Sequence, residues 1–240
     1  MIKLIGFDLD NTLWPVKPAI LGAEAALKQY FEAFEPKLVY PPANIADLRS
    51  RVLDRDPDLH FRLTDLRRNL LQEIVLESKT HAASAESIVG QAMQIFLKAR
   101  SQVTLYPGVA SALQNLHANY SLCALTNGNA DTRGLSIGPL FDFQMSAEDV
   151  GAPKPKPNLF LAALAKAQCQ PSEMIYVGDD PVLDIEAAAQ LGIHTIWITP
   201  NDKPQTKIHD SASEVISSID ELPEAVSAIS AKLSSNSAAG

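Results

Sequence analysis

The chain has 240 residues, 46% of them hydrophobic, and a formal charge of −8. That length buries a full core as one domain or two, and the acidic balance excludes a general binder of nucleic-acid backbones. No run approaches 18 apolar residues and Met1 leads directly into a strand pattern, so neither a membrane span nor a leader peptide is expected. Cys123 in an apolar run and Cys169 in a polar turn define no disulfide framework and point to a reducing, cytoplasmic setting. The five histidines, His60, His81, His117, His194 and His209, show no zinc-ligand spacing.

Residues 2–7 form the first strand pattern and run into Asp8-Leu9-Asp10-Asn11-Thr12. Two carboxylates two residues apart share a face wherever the backbone is extended. At ~4 Å and an effective dielectric of ~20, like charges repel by roughly 4 kcal/mol, so the pair needs a cation or a chemical use. The plain alternative is an Asp-rich turn in which Asn11 and Thr12 cap the next element.

Residues 15–103 carry helical periodicity at 19–34, 64–78 and 84–99 and no convincing strand. The segment 35–58 holds Pro36, Pro41, Pro42 and Pro57 and reads as a loop. We expect an all-helical module inserted after the first strand, able to act as a lid that excludes water and selects substrate. Arg62, Arg67 and Arg68 are candidate substrate contacts within it, though solvated helix faces account for them as well. Trp14 and Tyr40 could stack on a flat ring, or pack in a hinge or core.

Beyond residue 103, apolar β-rich runs recur at 121–125, 141–145, 174–177 and 194–198. Helical patterns lie between them: one opened by Pro107, one after Pro157, and one at 182–191 stopped by Gly192. Strand and helix alternating at this rhythm define an α/β fold, a Rossmann-like doubly wound parallel sheet. The expected division is a core of 1–14 and 104–231, a helical cap of 15–103, and a frayed Ser/Ala/Asn/Gly tail at 232–240.

Each later strand ends in further chemistry. Thr126, Asn127 and Gly128 follow the second, where hydroxyl, amide and backbone N–H groups can cradle an anion, or simply form an Asn-Gly turn. Arg133, in the same loop, is a weaker candidate. Lys154 lies between Pro153 and Pro155, held more firmly than a surface lysine and able to neutralise phosphate or carboxylate; Lys156 beside it should be solvated. Asp179, Asp180 and Asp184 follow the strand at 174–177, hard oxygen donors of the kind Mg²⁺ takes. Asp184 is either a helix-dipole partner or a group standing behind Lys154 or a metal-bound water and supporting it.

These four clusters, Asp8-Leu9-Asp10-Asn11-Thr12-Leu13, Thr126-Asn127-Gly128, Lys154-Pro155 and Gly178-Asp179-Asp180 with Asp184, resemble the ordered motifs of the haloacid dehalogenase superfamily from Met1 to about Ile198. The resemblance implies that Asp8 is a nucleophile that becomes an aspartyl phosphate. It makes Asp10 the proton donor to the leaving oxygen and then the activator of water, with its backbone carbonyl on the metal. Thr126 would bind phosphoryl oxygens with Asn127 and Gly128 nearby, and Lys154 would offset charge in the transition state. Asp8, Asp10 and Asp179 would hold Mg²⁺, with Asp180 and Asp184 behind them, and the helical insertion corresponds to the family's C1 cap. Halide leaves without a proton, so a dehalogenase of this superfamily lacks an aspartate at the position of Asp10. The chain therefore resembles the superfamily's phosphatases.

Among those, it is similar to phosphatases of bacterial flavin synthesis at Pro18-Ala19-Ile20, Asn129-Ala130 and Trp197-Ile198. This implies 5-amino-6-(5-phospho-D-ribitylamino)uracil or FMN as substrate. Sugar phosphates and nucleoside monophosphates are the competing substrates. A phosphomutase is the competing reaction, and a phospho-accepting regulatory domain the competing class. The expected partners are a small phosphorylated metabolite, no nucleic acid and no membrane, in a monomer or homodimer.

Overall fold

The computed structural model describes residues 1–199 and 210–238, with the side chains of 236–238 left aside. His209 and the last two residues of the expected tail lie outside the described residues. The chain divides into two compact units, Met1–Pro15 with Thr104–Gly240, and Val16–Val103.

In chain order, β1 (Leu4–Phe7) is followed by four helices: α1 (Val16–Glu32), α2 (Ile45–Arg55), α3 (Leu63–Glu77) and α4 (Ala85–Arg100). Then come α5 (Val109–His117), β2 (Ser121–Thr126), β3 (Phe143–Ser146), the short α6 (Ala147–Val150), α7 (Asn158–Ala167) and β4 (Met174–Gly178). A π-helical turn, Pro181–Glu186, runs into α8 (Ala187–Ala189), and β5 (His194–Ile198), β6 (Glu214–Ile216) and α9 (Leu222–Ala238) close the described chain.

The strands form one sheet in the order β3-β2-β1-β4-β5-β6, and every pairing is parallel. With β2 and β4 on either side, β1 is buried at all four positions, and a strand covered on both faces needs an unbroken apolar run. The chain winds outward from β1 through β2 to β3, then crosses back to β4 and winds the other way. Such a reversal opens a crevice beyond the carboxyl ends of the strands, where open α/β sheets bind ligands. Pairing of Phe7 with Ala124 and with Val177 brings Asp8, Thr126 and Asp179 to that same end.

The inserted helical cap has its own core. Ala19, Ala23, Leu27 and Phe31 recur every fourth residue along α1, and the last three share an apolar cluster with the Ala85, Val89, Ala92 and Phe96 stripe of α4. The segment expected to be a loop contains α2. Its prolines all fall outside residues 45–55, and Leu48 and Val52 form a narrow buried stripe in an otherwise charged helix. That charge masks the periodicity.

Two further expectations change at the carboxyl-terminal side. The edge strand β6 is three residues long, too short for an alternating pattern to register. The stretch 232–240, expected to be a frayed tail, continues α9 as far as Ala238, with the Ser234 hydroxyl bonded back to the Ser230 carbonyl. Cys169, read as a turn residue, is buried with Cys123 in the core cluster under α7, and both thiols are free. Among the described residues no helix is long and apolar enough to cross a membrane.

Candidate active site

Asp8, Asp10, Asn11, Thr126, Asn127, Gly128, Lys154, Asp179, Asp180, Leu183 and Asp184 line one pocket of about 190 Å³ at the carboxyl ends of β1, β2 and β4. Four separate stretches of sequence meet there. All the catalytic, phosphate-binding and metal-binding candidates read from the sequence stand around that pocket.

At its floor is Lys154, 3% exposed. Its Nζ donates to Asp8 Oδ1 at 2.7 Å and Asp184 Oδ1 at 2.6 Å, with the Tyr176 hydroxyl at 2.8 Å and the Leu125 carbonyl at 3.1 Å. An ammonium has three hydrogens and meets four acceptors here. The Tyr176 hydroxyl donates in turn to the Leu125 carbonyl at 3.0 Å, so it can accept from Lys154 and pass the interaction on. Burial disfavours the ammonium, but Asp184 and Asp8 reverse this and hold its pKa well above the ordinary lysine value.

The carboxylates are less comfortable. One oxygen from each of Asp8, Asp179 and Asp184 lies within 4.8 Å of the others. At ~5 Å and an effective dielectric of ~20 each like pair costs roughly 3 kcal/mol. Burial first, and neighbouring Asp184 and Asp179 after it, raise Asp8 to about 7 despite Lys154. Burial and Asp184 likewise raise Asp179 to about 6. One ammonium cannot neutralise three carboxylates, and the surplus of two negative charges in hard oxygen donors fits a small divalent cation.

Local backbone geometry explains how the cluster is reached. A Cβ on Gly178 would lie 2.4 Å from Asp184 Oδ2 and 2.5 Å from its Cβ, so only glycine lets Asp184 approach the end of β4. The Asp180 carboxylate accepts from the N–H groups of Val182 and Leu183 and caps the following turn, while its own N–H donates to Asp184 Oδ2 at 3.1 Å. Asp184 is thus tied both to Lys154 and to the Asp180 N–H at the start of that turn.

Asn127 and Lys154 hold each other. The Lys154 N–H donates to Asn127 Oδ1 at 2.7 Å, and Asn127 Nδ2 donates to the Lys154 carbonyl at 2.9 Å. The Asn127 amide is therefore chiefly a strut for the lysine loop. Thr126 Oγ1 accepts from the Gly128 N–H at 2.9 Å, which leaves the threonine hydroxyl hydrogen for an anion in the pocket.

The remaining candidates have partners of their own or are exposed. Arg133 forms a fork with Asp131 and is exposed. Within the cap, Arg62 pairs with Asp56 and Asp65, and Arg67 pairs with Glu24 while lying over the Phe96 ring. Arg68 and Lys156 are exposed. Neither aromatic is free to stack on a ligand: Trp14 is fully buried, and Tyr40 packs on Phe31 and donates to Glu24 at 2.6 Å.

Sequence reading missed two participants. Tyr176 is the one polar-tipped residue in an aliphatic strand, a signal that was available. Thr12, taken only as a cap, is buried with its hydroxyl 3.1 Å from Asp179 Oδ1 and 3.4 Å from Asp8 Oδ2. The main-chain carbonyl of Asp179 accepts from the Trp197 indole at 3.0 Å, and Asp10 Oδ1 accepts from the Trp14 indole at 2.9 Å.

Parallel sheet, inserted helical cap and aspartate cluster together define a hydrolase of phosphate esters, and comparison with known proteins gives the family. Residues 2–192 match the model of the haloacid dehalogenase-like hydrolases, and the chain belongs to that family. It is 28% identical over 211 residues to the 5-amino-6-(5-phospho-D-ribitylamino)uracil phosphatase YigB of Escherichia coli K12, covering 88% of this chain and 89% of that one. It is 26% identical to human N-acylneuraminate-9-phosphatase, covering 97% of each. Among solved structures, one described as a 2-haloacid dehalogenase from Pseudomonas syringae pv. Tomato DC3000 superimposes with a TM-score of 0.87. That chain is 38% identical, with 95% of this chain and 99% of that one covered.

Proposed function

We propose that this enzyme is a Mg²⁺-dependent phosphomonoesterase that works through an aspartyl phosphate at Asp8 on a small phosphorylated metabolite. The observation that carries the reading is the cluster of Asp8, Asp179 and Asp184, in which the buried Asp8 and Asp184 share one ammonium, that of Lys154. Asp8, Asp179 and the backbone carbonyl of Asp10 would hold the cation, with Asp184 behind them. Bound there, Mg²⁺ would offset the surplus carboxylate charge and that of the phosphoryl group.

An Asp8 carboxylate oxygen attacks phosphorus, and the bond from phosphorus to the ester oxygen breaks. Asp10 gives its proton to that departing oxygen, then takes one from the water that attacks the phosphorylated Asp8. Thr126 donates its hydroxyl hydrogen to a phosphoryl oxygen. Lys154, already hydrogen-bonded to Asp8, offsets the charge that builds on the transferring group.

The likeness to the Escherichia coli enzyme supports a flavin-pathway ester, 5-amino-6-(5-phospho-D-ribitylamino)uracil or FMN, as substrate. The likeness to the Pseudomonas syringae structure raises dehalogenation as a second reading. Against it, halide leaves without a proton, and its departure would leave Asp10 without a task.

The test is product release from a panel of the ribitylaminouracil phosphate, FMN, sugar phosphates, nucleoside monophosphates and 2-chloropropionate, with Mg²⁺ and with EDTA. Metal-dependent phosphate release strongest on a flavin-pathway ester supports the full reading. Strongest release on a sugar phosphate or nucleotide replaces the substrate, an isomerised phosphate ester replaces hydrolysis by mutase chemistry, and chloride release without phosphate release overturns the proposal.

A further inference from the structure

Tyr176 on β4 pairs directly with Gly6 on β1, two residues before Asp8. A Cβ at Gly6 would lie 2.9 Å from Tyr176 Cδ2 and 2.6 Å from Met174 Cε. Glycine at that position therefore leaves the space that the tyrosine ring occupies. Phe160 of α7 meets the same ring edge-on, with centroids 4.9 Å apart, and Tyr176 is wholly buried. A ring packed this closely delivers its hydroxyl to one place.

That place is the Lys154 ammonium. Asp184 Oδ1 at 2.6 Å, Asp8 Oδ1 at 2.7 Å and the Tyr176 hydroxyl at 2.8 Å match its three hydrogens, and the Leu125 carbonyl stands slightly farther off at 3.1 Å. A hydroxyl accepts and donates at once. Tyr176 takes one hydrogen from Lys154 and gives its own to the Leu125 carbonyl at 3.0 Å, the acceptor that would otherwise compete for the ammonium. With phenylalanine here, that carbonyl becomes the one neutral acceptor left of the four, and it should draw Nζ towards β2.

We infer that Tyr176 is a positioning residue that keeps the Lys154 ammonium directed at Asp8, an inference that rests on Lys154 offsetting charge on the transferring group. Tyr176 and Asp184 engage two of the hydrogens, and the third, shared with Asp8, is the one able to turn to a phosphoryl oxygen as phosphorus reaches Asp8. The benefit falls on the transition state more than on bound substrate or product, because charge gathers beside Asp8 only there.

The experiment compares wild type with Tyr176→Phe, in Mg²⁺, for kcat and KM on p-nitrophenyl phosphate. It also compares inhibition by orthovanadate, which imitates five-coordinate phosphorus, with inhibition by inorganic phosphate. The expected result is a fall of about 10-fold in kcat and in vanadate affinity, with KM and phosphate affinity changed by less than about 2-fold. Equal weakening of vanadate and phosphate, or a lowered Tm with unaltered kinetics, would reduce the hydroxyl to a structural role and overturn the inference.

A readout independent of turnover is the crystal structure of Tyr176→Phe. Nζ should lie closer to the Leu125 carbonyl than its present 3.1 Å and farther from Asp8 than 2.7 Å; an unmoved Nζ would overturn the inference. A wild-type enzyme that releases no phosphate, with Nζ still displaced in the variant, would keep the positioning role and discard the phosphatase reading. If Tyr176→Phe fails to fold, Gly6→Ala takes its place, since its methyl presses on the ring. Weaker vanadate binding with phosphate affinity held is again expected, and equal losses again overturn the inference.

Discussion

Lys154 is 2.7 Å from one aspartate and 2.6 Å from another, with almost no access to solvent. A buried ion pair contributes little net stability against an apolar alternative, but removing one partner leaves the other charge stranded. In Lys154→Met three carboxylates would remain with no cation among them. Urea denaturation of the metal-free variant at about pH 8 should show a loss of roughly 3–5 kcal/mol. The loss should shrink near pH 5, where Asp8 and Asp179 are protonated and less charge remains to strand. A pH-independent loss would mean that Lys154 matters by its packing alone.

At the scale of elements, what the sequence made legible was whatever depends on residues close together in the chain. The strand at residues 4–7 ending in Asp8 and Asp10 was visible, as were the Gly-Asp-Asp step after β4 and the proline-flanked Lys154. Each is a local motif at a strand end, and parallel pairing then brings such ends together. The invisible parts depend on distant partners. Tyr176 acquires a purpose only when β4 pairs with β1 and the Lys154 loop arrives over it. The Asn127 amide looked like a phosphate ligand, yet it bonds a backbone 27 residues away. Trp14 was read as a ring for stacking or as packing, because nothing in Leu13-Trp14-Pro15 reveals that Asn11 turns the chain back on Asp10. Within the cap, α2 was hidden by prolines on either side of it and by a polar surface broken at only two buried positions.

The whole molecule is a stable sheet carrying an unstable cluster, and this sets its response to pH. Asp8 at about 7 and Asp179 at about 6 both lie above the ordinary carboxylate range, each raised mainly by burial. A carboxyl with a raised folded-state pKa keeps a proton that the unfolded chain has already released. The folded state therefore binds more protons from about pH 4 to 7, and stability falls as pH rises through that window. Lys154 is shifted upward from its ordinary value, so its contribution stays constant there. Thermal unfolding of metal-free protein should give a lower Tm at about pH 8 than at pH 5.5. Millimolar Mg²⁺ should raise Tm by several degrees at the higher pH and by less at the lower, because bound cation stabilises the ionised cluster. A Tm insensitive to Mg²⁺ at both values would remove the cation from the mechanism.

On the proposed mechanism Asp8 itself carries the phosphoryl group, and that is testable on the residue. Enzyme quenched in acid during turnover of its best substrate, then treated with borohydride, should yield homoserine at position 8 by peptide mass spectrometry. The conversion should require Mg²⁺ and substrate, and Asp8→Asn should neither be converted nor release phosphate. Conversion at another aspartate, or steady phosphate release by Asp8→Asn, would contradict the mechanism.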